Sequence, residues 1–206
     1  MNSSAKKASL LSANRTVILW FIWLLGTAAF GQSVDWHGNA EYRDPERFET
    51  AVRNFEKRDL ESPPPKDAIL FIGSSTIRRW DSLATDMAPL ATIRRGIGGS
   101  NFYDLLHYAD RIVIPYQPRA IVIYSGGNDI QQNINPTKAV ATLEAFLDKV
   151  FTSLPECRVY VLSIKISAKR WENRPIENQA NDMMIALCEK DDRLLYIEQP
   201  FPYDLE

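Results

Sequence analysis

Ala68-Ile-Leu-Phe-Ile72 runs directly into Gly73-Ser74-Ser75-Thr76-Ile77. The first five residues are a continuous apolar run of strand length, and the next five open on turn residues before an apolar residue resumes. Together they read as a buried strand breaking into a tight turn with a hydroxyl at its tip. A serine held there is lifted clear of the sheet edge. The helix that follows leaves its first backbone N–H groups without intrahelical acceptors, free to meet a developing oxyanion. An ordinary strand-to-helix turn has the same composition, because Gly and Ser also serve as turn and N-cap residues. The rest of the chain decides between the two.

Working outward, the same rhythm recurs. Further strands are expected near Thr92 to Gly96, Ala120 to Tyr124, Arg158 to Ile164 and Leu194 to Ile197, with helical stretches between them. Asp44-Pro45 is a helix start, followed by Phe48, Val52 and Phe55 on one face, and Ser62-Pro-Pro-Pro65 is a stiff link into the first strand. Asn135-Pro136 starts a helix carrying Val140, Leu143, Leu147 and Val150. Another follows Pro175, with Ile176, Ala180, Met183 and Leu187. Strands that are apolar almost throughout, alternating with amphipathic helices, predict an α/β domain. Its architecture is a three-layer sandwich built on a five-stranded parallel sheet covered on both faces. A chain of 206 residues suits one such domain.

A net charge of −2 without a long basic run argues against nucleic acid as the partner and favours small molecules or neutral polymers. At the N-terminus, Lys6, Lys7 and Arg15 precede the apolar segment Val17 to Leu25, which softens through Gly26 to Gly31. This is the layout of a secretory signal peptide over residues 1–31, with Ala29 and Gly31 at the cleavage site and an exported domain over 32–206. A retained membrane anchor is the alternative, but the apolar part is shorter than the roughly 20 residues a spanning helix needs. Cys157 and Cys188 fit either a disulfide or two buried thiols, and neither belongs to a metal-ligand spacing.

In a parallel sheet, ligands bind beyond the carboxyl ends of the strands, which brings Gly73 to Ile77, Gly96 to Asn101, Ser125 to Ile130 and Ser167 to Trp171 together for consideration. The second loop, within Arg95-Gly-Ile-Gly-Gly-Ser100, has glycines that allow close backbone approach to a ligand. A dinucleotide fingerprint would need a third glycine where Asn101 stands. The third, Ser125-Gly-Gly-Asn128-Asp129, brings an asparagine amide to the same sheet edge as Ser75. There Asn128 is a candidate donor to an oxyanion, alongside the backbone N–H groups of Ser75 and Gly99. An Asx-type turn capping the strand is the structural alternative.

With these segments in strand order, the chain resembles the SGNH hydrolases, also called GDSL-type esterases and lipases. The family's first block matches Gly73-Ser74-Ser75-Thr76, which implies Ser75 as nucleophile with Ser74 in the aspartate position. The second-block glycine falls on Gly99, and the third block, Gly-x-Asn-Asp, falls on Gly126-Gly127-Asn128-Asp129. The resemblance extends to Ser163-Ile-Lys165 and Arg170-Trp171. It implies a flavodoxin-like sheet and hydrolysis of carboxylic esters, acyl or acetyl groups on a sugar or lipid, through an acyl-enzyme. No metal or cofactor is implied.

The chain departs from that pattern at one place. The family carries Asp-x-x-His in a loop after the fifth strand, leading into a terminal helix, whereas here Leu194 to Ile197 is followed by Glu198 to Glu206. The expectation is a domain incomplete at its C-terminus, without the terminal helix and without the base and its orienting aspartate. Of the two histidines, His37 precedes the first helix. His107 ends Asp104-Leu-Leu-His107, read as a surface pair one helical turn apart. A non-catalytic module that binds acylated ligands is therefore the competing function. Trp80, Tyr124, Arg170 and Trp171 flank strand ends, either as lining of an acyl or sugar site or as packing.

Overall fold

The computed structural model describes residues 38–165 and 168–199. Five strands, β1 (Ile69–Gly73), β2 (Thr92–Gly96), β3 (Ala120–Tyr124), β4 (Arg158–Leu162) and β5 (Leu194–Ile197), form one sheet in the order β2-β1-β3-β4-β5, parallel throughout. The strand predicted to reach Ile164 stops at Leu162. Beyond it the Asn181 amide takes over the backbone: Ile164 N donates to Asn181 Oδ1 at 2.8 Å, and Asn181 Nδ2 donates to Ile164 O at 3.1 Å.

The helices are α1 (Glu49–Glu61), α2 (Ser75–Arg78), α3 (Leu83–Asp86), α4 (Phe102–Ile112), α5 (Gly127–Gln131), α6 (Pro136–Ser153) and α7 (Arg174–Cys188), with a 3₁₀ turn at Pro45–Phe48 leading into α1. Their starts follow the sequence signals. The Asp44 carboxylate accepts from Glu46 N at 2.9 Å and Asn135 Oδ1 from Thr137 N at 2.9 Å, each with proline at the next position. On α7 the fully buried methionine is Met184, while Met183 is only half-buried. The helix starts at Arg174, and its apolar stripe runs Ile176, Ala180, Met184, Leu187.

Alternate residues of each strand face opposite sides. Leu70, Ile121, Val159 and Leu194 stand side by side across the sheet, as do Ile72, Ile123 and Val161. These rows form the main core with α1, α4, α6 and α7, and every one of these side chains is buried. Each fully buried aliphatic side chain contributes on the order of 2 kcal/mol. The opposite row is Phe71, Val122, Tyr160 and Leu195. There α2 and α3 cover only the end of the sheet formed by β2 and β1, through Ile77 and Leu83. Helices thus lie on both sides of the sheet, but unequally. Among the described residues an apolar groove of about 520 Å³ stays open over Phe71, Val122, Tyr160, Leu162 and Ile197, and Ile197 is 41% exposed. Cys157 and Cys188 are both buried free thiols, each pushed up to about 11 by burial.

Candidate active site

The turn after β1 is shaped by Gly73. Its φ is +134°, and a Cβ there would lie 2.0 Å from the carbonyl oxygen of Tyr124, so only glycine fits. The next amide, Ser74 N, donates to that same Tyr124 oxygen at 3.0 Å, fixing the exit from the sheet. Ser75 then opens α2 and is half-buried, with its hydroxyl at the rim of the sheet's carboxyl edge. As the first helical residue its N–H has no intrahelical acceptor.

The β2 loop is tied to the same turn. Gly73 O accepts from Ile97 N at 2.8 Å and from Ser100 Oγ at 3.3 Å. Between those two anchors sits Gly99, exposed and with φ +86°. A Cβ on Gly99 would meet nothing nearer than the Phe48 ring at 4.0 Å, so the backbone conformation, and not lack of space, requires glycine there. The β3 loop joins through Asn128, whose Nδ2 donates to Ser100 O at 2.8 Å. That bond uses one amide hydrogen and leaves the other for a ligand. Ser75 and Gly99 line one open cleft of about 630 Å³ with Phe48, Phe55, Arg58 and Arg78. Asn128 is not among its walls, and reaches the group through Ser100.

Asp129, next to Asn128, is fully buried. Its Oδ1 accepts from Tyr42 Oη at 3.0 Å and from Phe102 N at 3.2 Å, so it holds the start of α4. Burial, the larger effect, pushes its carboxyl up to about 7, against the pull of those donors. Asp104 does not form the surface pair with His107 that the spacing suggests. It is fully buried, because it completes a capping box: Asn101 Oδ1 accepts from Asp104 N at 3.0 Å, and Asp104 Oδ2 accepts from Asn101 N at 2.9 Å and from Arg47 Nη2 at 2.7 Å. Burial raises its carboxyl to about 6. His107 Nε2 lies 3.3 Å from Glu46 Oε1, and its ring packs edge-on to Tyr108, so it takes no part at Ser75. His37 and Ser167 lie outside the described residues.

Among the described residues the group hydrogen-bonded to Ser75 Oγ is Arg79, through Nη2 at 3.3 Å, while Arg79 Nε reaches Ser75 O at 3.3 Å. This contact went unpredicted, although the spacing of four residues places the two on one helical face. Arg170 Nη1 donates to Gly127 O at 3.2 Å, bracing the turn before Asn128. Glu177, at the start of α7, is fully buried with neither carboxylate oxygen hydrogen-bonded among the described residues, and burial raises it to about 7 while Arg170 opposes the shift. Trp80 belongs to packing on the open sheet face: its ring meets Phe71 edge-on at 5.7 Å, and its Nε1 donates to Asp86 at 2.6 Å. Tyr124 packs in the same cluster, and Trp171 is 50% exposed under the Arg174 guanidinium.

A five-stranded parallel sheet whose first three βα loops are stitched together around a serine, a glycine and an asparagine defines an α/β protein of the hydrolase class. The chain belongs to the GDSL-like lipase/acylhydrolase family, whose model matches residues 71–203, and it is accordingly a hydrolase acting on esters. Solved structures agree on the fold. A candidate platelet activating factor from Streptococcus pneumonia superposes with a TM-score of 0.63 at 18% identity, covering 88% of this chain and 79% of that one. A GDSL-like lipase from Bacteroides thetaiotaomicron gives 0.61 at 18% identity, covering 71% and 77%. A catalytic mutant of an acetylxylan esterase from Geobacillus stearothermophilus gives 0.51 at 13% identity, covering 69% and 84%. No curated protein matches.

Proposed function

We propose that the chain hydrolyses small carboxylic esters with Ser75 as nucleophile, through an acyl-enzyme. The observation that carries this reading is the stitching of the loops: Gly73 O takes Ile97 N and Ser100 Oγ, and Ser100 O takes Asn128 Nδ2. The Ser75 and Gly99 N–H groups and the second Asn128 amide hydrogen are thereby held at one sheet edge as the donors for an oxyanion. In the reaction Ser75 Oγ bonds to the ester carbonyl carbon and gives its proton to a general base. The C–O bond to the alcohol then breaks, with that proton returned to the leaving oxygen, and water releases the acyl group by the same steps. Arg79, with Nη2 3.3 Å from Ser75 Oγ, is a cation beside the hydroxyl and favours its ionised form.

Turnover of 4-nitrophenyl acetate is expected to fall by roughly a thousandfold or more in Ser75→Ala, and unchanged turnover in that variant removes Ser75 from the role. A second reading, a module that binds acylated sugars or lipids without cleaving them, is favoured by the partner of Ser75 Oγ among the described residues, an arginine and not a histidine. It predicts saturable ester binding with no turnover. Export of residues 32–206 is also proposed, on the order of Lys6, Lys7, Arg15 and the apolar run behind them. N-terminal sequencing of the secreted protein tests it.

A further inference from the structure

We propose that the Ser75 cleft takes esters that carry an anionic group, phosphate or carboxylate, and that Arg58 and Arg78 are the residues that select it. The inference deepens the hydrolase reading and rests on Ser75 being the reacting residue. The protein as a whole carries a net charge of −2, yet no aspartate or glutamate among the described residues lines this cleft. Its charged walls are Arg58 on α1 and Arg78 at the end of α2, in the same cleft as Ser75 and Gly99. Arg79 adds a third cation directly on the serine hydroxyl.

Six arginines elsewhere, Arg47, Arg53, Arg94, Arg95, Arg111 and Arg193, each pair with a carboxylate. Arg58, Arg78 and Arg79 pair with none among the described residues. Two of them are nevertheless placed and not merely dangling. Arg58 Nε donates to Asn54 O at 3.1 Å, with its guanidinium 5.1 Å from the Phe55 ring centre. Arg78 lies along the β2 loop so closely that a Cβ on Gly98 would come within 2.7 Å of its Nε. The glycine loop therefore makes room for the guanidinium as well as for the donor at Gly99. A planar guanidinium with unused N–H groups is the side chain best suited to grip phosphate or carboxylate oxygens. Phe48 and Phe55 supply an apolar wall for the uncharged part of the same ligand.

The test reads binding, so that it does not depend on turnover. The Ser75→Ala chain is titrated calorimetrically at low salt with inorganic phosphate and, separately, with succinate. Saturable binding of at least one is expected, weakened about tenfold by Arg58→Ala and by Arg78→Ala. It is expected to be unchanged by Arg158→Ala, which lies in the groove on the far sheet face. Both cleft arginines are exposed, so their removal leaves the core intact, and matching melting curves verify that. Tighter binding of phosphate points to phosphate-bearing esters, and tighter binding of succinate to carboxylate-bearing ones. Absence of binding by either anion, or binding indifferent to Arg58→Ala and Arg78→Ala, overturns the proposal. Persisting ester hydrolysis in Ser75→Ala defeats the nucleophile assignment while leaving the anion titration readable.

Discussion

Replacing Asp129 with asparagine pits two electrostatic effects against each other. The buried carboxyl is raised from an ordinary value of 3.8 to about 7 by desolvation, although it accepts from Tyr42 Oη and Phe102 N. An unfolded chain loses this proton near pH 4, whereas the folded chain keeps it to about pH 7. Between those values the unfolded state binds fewer protons, and stability falls as pH rises through the window. At pH 8 the ionised carboxylate costs the fold about 4 kcal/mol relative to a group titrating normally. The asparagine side chain keeps an oxygen for Tyr42 and Phe102 and carries no charge. Asp129→Asn is therefore expected to match the parent at about pH 3, below both titrations, and to exceed it at about pH 8 by a sizeable part of that figure. Urea unfolding at both pH values gives the comparison. Hydrogen bonds to a charged acceptor are worth roughly 1.5 to 3 kcal/mol each. If those donors outweighed desolvation, the asparagine variant would be the less stable at the higher pH, and that result refutes the reasoning.

Three further outcomes follow from the same geometry. Glu177→Gln removes a buried carboxylate without a hydrogen-bond partner among the described residues, raised to about 7, so it is expected to stabilise the fold above about pH 7 and to change little below about pH 4, again by urea unfolding. Asn128→Ala is expected to lower kcat for ester hydrolysis about a hundredfold to a thousandfold, with a smaller effect on KM, because the proposed oxyanion donor would act on charge that develops only in the transition state. Gly73→Ala forces a Cβ to within 2.0 Å of Tyr124 O at φ +134° and is expected to cost about 3 kcal/mol or more. A variant within about 1 kcal/mol of the parent would show that the turn relaxes around it.

Strands and helices are legible because their signals are local. Short runs between turn residues mark β2, β3 and β5 at their observed limits, and Asn135-Pro136 marks the start of α6. What depends on the third dimension is not legible. An amphipathic pattern says that a helix has an apolar face, but not on which side of the sheet it lies. The concentration of α1, α4, α6 and α7 on one face is invisible in the periodicity. Asp104 misleads because its spacing to His107 says that the two are neighbours without saying which one faces inward. The Asn101-to-Asp104 spacing of a capping box is the better signal. Ser75, Gly99 and Asn128 stand out as ends of strands. Arg79, Arg58 and Arg78 do not, since an arginine on a short helix or an exposed helix end reads as surface until the cleft is seen.

The bonds that gather the proposed donors are backbone bonds, a hydroxyl and one amide, not ion pairs. Gly73 O, Ser100 O and Tyr124 O are the acceptors, and the groups on them are N–H, hydroxyl and amide. None of these titrates between about pH 4 and 9. The shape of the pocket is therefore independent of whatever proton acceptor serves Ser75, and binding is separable from turnover. Ionisation enters one step away, through Asp129, which holds α4 by Phe102 N and follows Asn128 in the chain.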